Sequence, residues 1–260
     1  MRRRSFLAGA VAGATALPGC TDATFTFGDP AVTERELPNR PDSLTARTVV
    51  DYVAEYEAAR VHNAHAGDDV TEVNVSTEAV LDYETANGYH VTVQYAGSVS
   101  HEQNGAESVG ELYSEPIPYR VSANATRRAA LTTDAFEEPF GTAGDEVDRP
   151  LGIRLPNFDG TDHELSVTVD TDAGDGNRIL ERTVDVGAES AIEIREIAVA
   201  PDTYRITATL SGDGPTARAR IDVPLADTER IPAVDLAVTP ADGLTMAHLP
   251  EADLMSGTHD

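Results

Sequence analysis

Several sets of side chains have the types and spacing to do chemistry. Asp170, Asp172 and Asp175 are oxygen donors spaced as in a calcium loop, with Gly176 and Asn177 after them. The loop pattern fails at its fifth and sixth positions, which hold Gly174 and Asp175. A hairpin turn built on Asx hydrogen bonds and left-handed glycine accounts for the same residues. His62 and His65 stand three apart, close enough on a helix to share a metal. Spacing supplies no third ligand, and a solvated helix end is expected there. His101-Glu102 and His163-Glu164 each begin an H-E-x-x-H zinc arrangement, but Gly105 and Val167 stand where the second His belongs. Met246, His248, Met255 and His259 offer soft ligands suited to copper, at irregular intervals in a short tail. Neither phosphate-cradling glycine motif, G-x-x-x-x-G-K-[ST] or G-x-G-x-x-G, is present, and no G-x-S-x-G nucleophile elbow occurs. No catalytic residue, metal site or cofactor is assigned from these patterns.

Two sequons offer a different chemistry. Asn74-Val75-Ser76 and Asn124-Ala125-Thr126 are candidate N-glycosylation sites, meaningful only if the chain is exported. Both asparagines are expected to point away from the apolar face of the first domain.

The first twenty residues bear on export. Arg2, Arg3 and Arg4 precede the short apolar run Leu7–Leu17, too short to span a bilayer as a helix. Arg3-Arg4-Ser5-Phe6-Leu7 resembles the twin-arginine (Tat) export signal, R-R-x-F-L, a receptor-read address. Leu17-Pro18-Gly19-Cys20 resembles a lipobox, L-x-G-C, with Pro18 departing from the small residue usual there. The resemblance implies cleavage before Cys20 and lipid on its sulfur and new N-terminus. Cys20 is the only cysteine, so no intramolecular disulfide can form. The expected location is the extracellular face of the cell membrane, with Cys20 as the anchor.

The solvent is legible in the charge. All 19 basic residues are Arg, against 45 Asp and Glu, for a net charge of -26. Such repulsion opposes compaction in dilute salt. At molar salt the Debye length falls to about 3 Å and screens it. Carboxylates there hold water and monovalent cations at the surface. The composition resembles that of haloarchaeal secreted proteins. Nucleic-acid binding is excluded as a function class, because no basic patch exists to displace counterions.

The elements follow from periodicity. Residues 1–19 form the signal and 20–42 a tether broken by Gly28, Pro30, Pro38 and Pro41. Ser43 or Thr45 caps a helix running to about His65, with Leu44, Val49, Tyr52, Val53, Tyr56 and Ala59 on its apolar face. Glu55, Glu57 and Arg60 are expected in solvent, and Gly67 in a left-handed position after the last turn. Asn87-Gly88 signals a hairpin. Tyr89, Val91, Val93 and Tyr95 alternate as a half-buried strand, and so do Ile117, Tyr119, Val121 and Ala123, with Ala129 and Leu131 extending the same sheet. This gives an α+β N-terminal domain over 43–135, a long helix on a curved antiparallel sheet. Residues 136–148 read as a linker. Over 149–240, short alternating strands recur about every ten residues, the pattern of an all-β sandwich. Asn157 to Leu210 resembles Ig-like or CARDB-type modules, with Tyr204 placed to make a corner. Leu236 and Val238 are expected to form an edge strand, and 241–260 a flexible tail or a last short strand.

Most of the chain thus resembles the uncharacterised haloarchaeal Tat-exported lipoproteins, with only the signal motif specific. The resemblance implies place and shape rather than chemistry. The function expected is a non-enzymatic cell-surface module contacting the membrane through Cys20 and an envelope or transport protein through sheet edges or the helix-sheet groove. The competing expectations are an extracellular hydrolase with a carboxylate pair at the domain interface, and a metal-handling lipoprotein using its histidines.

Overall fold

A computed structural model describes residues 32–103, 105–135, 150–171, 177–198, 200, 202–211, 217–225, 233–240 and 243–249. The signal residues Arg3, Arg4, Phe6 and Leu7, the anchor Cys20, the 136–148 linker, Asp172, Asp175, Met255 and His259 lie outside the described residues. Among the described residues the fold is largely β with one helix, α1 (Ala46–His65).

Thr45 is the N-cap of α1 and forms a reciprocal pair with Thr48: Thr48 N donates to Thr45 Oγ1 at 3.2 Å, and Thr45 N to Thr48 Oγ1 at 2.9 Å. Two of the orphan donors at the helix start are thereby satisfied. The C-terminal expectation is corrected. The helix ends on an extended Ala66 (φ -65°, ψ 139°), and Gly67 has no positive φ. The chain turns straight into strand pairing, so no left-handed residue is needed.

The helix covers one face of a five-stranded sheet. Its strands are β1 (Val70–Thr85), β2 (Gly88–Gln103), β3 (Ala106–Tyr113), β4 (Ile117–Val121) and β5 (Thr126–Arg128), in the order β1-β2-β4-β5, with β3 also on β2. The expected hairpin at Asn87-Gly88 joins β1 to β2. β2 changes neighbours along its length: Tyr89–Val93 pair with β4, and Ala96–Gln103 with β3. Val91, Val93, Tyr119 and Val121 of this sheet pack with Val49, Tyr52 and Val53 of the helix.

The remaining strands form two further sheets. One has the order β14-β13-β7-β10-β6, from β6 (Ala130–Ala135), β7 (Leu151–Pro156), β10 (Ser190–Ala198), β13 (Ala233–Thr239) and β14 (Gly243–His248). The other has the order β12-β11-β8-β9, from β8 (His163–Thr171), β9 (Arg178–Val186), β11 (Asp202–Ser211) and β12 (Ala217–Leu225). They share one core, with Ile153, Leu155 and Ile194 from the first meeting Leu165, Val167 and Ile206 from the second. Tyr204 makes the expected corner: its hydroxyl donates to Ala200 O at 2.8 Å. Burial first, and Asp202 second, push that phenol up to about 12.

Two strand expectations are corrected. Leu131 does not extend the helix-covered sheet. Ala130–Ala135 pair in parallel with β10, so the two-sheet body begins before residue 136. Leu236 and Val238 are not on an edge either. β13 lies between β7 and β14, and Val234, Leu236 and Val238 are buried. Residues 243–248 form the last strand.

Candidate functional site

The two halves of the molecule meet at a buried ionic cluster. Arg154, on β7, has a side chain 6% exposed. Its Nε donates to Asp235 Oδ1 at 2.7 Å and its Nη2 to Asp82 Oδ2 at 2.8 Å. Its Nη1 donates to Thr92 Oγ1, and that hydroxyl donates to Asp82 Oδ2 at 2.7 Å. Tyr83 Oη completes the set by donating to Asp235 Oδ2 at 2.5 Å. Asp82, Tyr83 and Thr92 belong to the helix-covered sheet, and Arg154 and Asp235 to the two-sheet body. His90 stacks on Tyr83 at 4.2 Å between ring centroids and meets Phe158 edge-on at 5.5 Å. At the rim, Arg127 Nη1 lies 2.7 Å from Glu189 Oε1, and Arg195 Nη2 lies 3.2 Å from Glu115 Oε2.

This is the interface carboxylate pair that an acid/base reading requires, and its environment decides what it can do. Burial raises the pKa of Asp82, more than Arg154 lowers it, and Asp235 adds to the rise. Burial alone would lower Arg154, yet Asp235 and Asp82 hold it firmly charged. Burial, then the charge of Asp235, drives the Tyr83 phenol well above its usual range. Both carboxylates are closed to solvent, with side chains 3% and 0% exposed, and both are spanned by one guanidinium. With both held by that guanidinium, the cluster ties the helix-covered sheet to the two-sheet body.

A second buried carboxylate corrects an expectation. Glu57 is 0% exposed rather than solvated. Tyr119 Oη donates to its Oε2 at 2.5 Å, Arg60 Nε at 3.0 Å, and Arg128 Nε lies 3.4 Å away. The phenol of Tyr119 is raised by its burial and by the charge of Glu57. The sequence carried a signal for this: Val49, Val53, Glu57 and Val61 run at intervals of four, along the apolar stripe. His62 is likewise buried rather than solvated, 5% exposed, with Nε2 at 3.1 Å from Thr33 O.

The other candidate ligands do not converge. His163 pairs with Asp159 at 3.0 Å, and although burial opposes it, this contact and the Gly160 N–H hold Asp159 below its ordinary range. His101 lies 3.7 Å from Asp69. Asp170 accepts from Arg178 Nε at 3.0 Å. Among the described residues, no three His, Cys, Asp or Glu are gathered where they could hold a metal ion.

Among the described residues an open cleft of about 550 Å³ lies where four pieces of chain meet. They are Leu44 ahead of the helix, the β1–β2 turn (84–89), the segment from Arg120 to Arg127, and Pro240 of the two-sheet body. Arg120, 4% exposed, ties two of these pieces together, its Nη2 donating to Asn87 O at 3.1 Å. Tyr89 Oη donates to Leu44 O at 3.2 Å and fixes a third. The lining has one carboxylate, Glu84, and no His or Cys among the described residues. Its volume suits a small ligand or the side chains of a docked partner. Sequence reasoning missed this cleft, because turns distant in the chain build it.

The sequons fall on different surfaces. Asn124 is exposed at the cleft, and its Thr126 is half-buried, with Oγ1 at 3.0 Å from Tyr52 Oη. Asn74 and Ser76 are both exposed on β1, far from the cleft along the strand.

No family model, no curated protein and no solved structure matches this chain. Among the described residues, no helix is long and apolar enough to cross a membrane.

Proposed function

We propose that this chain is a non-enzymatic lipoprotein of the archaeal cell surface at high salt. It is tethered outside the membrane by lipid on Cys20 and acts as an interaction or accessory module for an envelope or transport protein. Its halves are an α+β module and an Ig-like sandwich, fastened by Arg154, and its recognition site is the cleft beside Arg120. The observation that carries the reading is the lining of that cleft. Two arginines and one glutamate sit among main-chain turns and small side chains, a surface suited to holding a partner and lacking an acid/base pair.

The test is in-cell crosslinking of the full chain in molar salt, followed by mass spectrometry, alongside Cys20→Ala and Ala123→Trp. Ala123 is exposed at the cleft, so a bulky side chain there obstructs it without entering the core. One defined membrane complex that is lost in both variants is the expected result. A complex indifferent to Ala123→Trp would move recognition elsewhere on the surface. The absence of any reproducible partner would sink the interaction reading.

A further inference from the structure

The face of the helix-covered sheet opposite α1 has two fates. Its near half, with Thr92 and His90, lies against the two-sheet body through Arg154 and Phe158. Its far half carries exposed side chains on all three of its strands, among them Asn74, Ala96 and Tyr113. Strand register sets the far half in three rows: Ser76, Ala96 and Tyr113; Asn74, Ser98 and Glu111; Glu72, Ser100 and Val109. Residues opposed across paired strands share a face, so all nine side chains belong to the surface away from the helix. Two of the three large hydrophobic side chains exposed among the described residues are here, Tyr113 at 78% and Val109 at 64%. Between them and Asn74 lie small residues, exposed Ala96 and half-buried Ser98, with Ser100 buried beside them.

We infer that Asn74 is the glycosylated sequon and that its glycan lies across these small residues against Val109 and Tyr113. The inference rests on the export proposed above. Asn74 stands in the middle row, and the two apolar side chains flank that row on β3. Adjacent strands are about 4.8 Å apart, so β3 is about two such steps from Asn74, within reach of the first sugar rings. A pyranose has an apolar C–H face that suits a phenol ring and a valine, and hydroxyls that suit Ser98 and Glu111. Both Asn74 and the sequon hydroxyl of Ser76 are exposed on the same face, open to a transferase acting on the folded chain. At the other sequon the hydroxyl of Thr126 is half-buried beside Tyr52 Oη, and a glycan on Asn124 would stand in the recognition cleft. The donor is a lipid-phosphate-linked sugar. The Asn74 amide nitrogen forms a bond to the anomeric carbon, the carbon–oxygen bond to phosphate breaks and its electron pair leaves with the phosphate, and one amide proton passes to base.

The full chain is produced in an archaeal host that glycosylates exported proteins, and both sequon peptides are read by mass spectrometry. Surface location is scored separately by protease shaving of whole cells. Glycan on Asn74, lost in Ser76→Ala, with Asn124 unmodified, is the expected result. A chain found outside with Asn74 bare overturns the inference and leaves the export reading intact; a chain retained inside overturns both. The covering geometry has its own readout. Purified chain lacking the leader and Cys20 carries a hexose on a thiol at Asn74→Cys or Asn124→Cys, and iodination of Tyr113 is followed. At least a fivefold slowing with the sugar at 74, and none at 124, is expected. Equal rates would show that a sugar at 74 does not lie on Tyr113.

Discussion

Replacing Glu57 by Ala tests how much one buried carboxylate contributes. The change leaves the phenol of Tyr119 without its acceptor and two guanidiniums, Arg60 and Arg128, without their counter-charge. Removing one partner from a buried ionic group costs about 3–5 kcal/mol, and because Arg60 and Arg128 keep 41% and 26% exposure to water the loss is expected near the lower end of that range. Tyr119→Phe removes only one hydrogen bond to a charged group and leaves Glu57 its two arginines, for a loss of about 2 kcal/mol. Urea denaturation in molar salt is expected to rank Glu57→Ala below Tyr119→Phe. A cost for Glu57→Ala under about 1 kcal/mol, the range of surface ion pairs, would show that the site behaves as exposed. At this scale the sequence was half legible. A cap at Ser43 or Thr45 was readable because a cap is local chemistry, and the structure selects Thr45. Glu57 read as solvent-facing because its type outweighed its place, and Arg154 carried no reading at all. Glu57 interrupts an apolar stripe between Val53 and Val61, whereas Arg154 holds the polar position of an alternating strand and is buried because the helix-covered sheet packs on that face. Asp235, between Val234 and Leu236, stands at the same kind of position with the opposite sign.

Among the elements, the long β1–β2 ribbon carries the most and depends on one close approach. A Cβ built on Gly97 would fall against the carbonyl oxygen of Asn74, far inside contact distance, with backbone rather than a movable side chain in the way. Gly97 is therefore a point where only glycine lets the two strands pair. Gly97→Ala is expected to separate the strands around Asn74↔Ser98 and to cost about 3 kcal/mol or more, in the upper range for single substitutions. Hydrogen exchange should then show lost protection at residues 73–76 and 96–99, with β13 and β7 unchanged. Uniform loss across both halves of the molecule would mean that the ribbon has no separate stability. The ribbon was legible as a hairpin because Asn87-Gly88 is flanked by alternating residues. The placing of β6 was not. Its partner β10 lies about sixty positions away, and a parallel pair leaves no turn signal in the sequence. The inward position of β13 was hidden for the same reason, since edge or interior is decided by which strands arrive beside it.

For the whole molecule, two electrostatic effects of opposite sensitivity meet. The surface repulsion of a chain at -26 acts through solvent, and is strong at low salt, where the Debye length at about 0.1 M is about 10 Å. The Arg154 cluster lies out of solvent, where counterions do not enter, so its contribution is nearly independent of salt. Wild-type stability is therefore expected to rise steeply between about 0.1 M and about 1 M KCl. Arg154→Leu leaves Asp82 and Asp235 buried together without a cation, and is expected to lose about 3–5 kcal/mol by the same amount at every salt concentration. Adding Asp82→Asn to Arg154→Leu removes one of the two stranded charges and should restore part of the loss. Parallel salt curves for wild type and Arg154→Leu place the Arg154 cluster inside the molecule and the response to salt on its surface. Curves that converge at high salt would mean that ions reach Arg154, and that the two halves open at their junction instead of moving as one body.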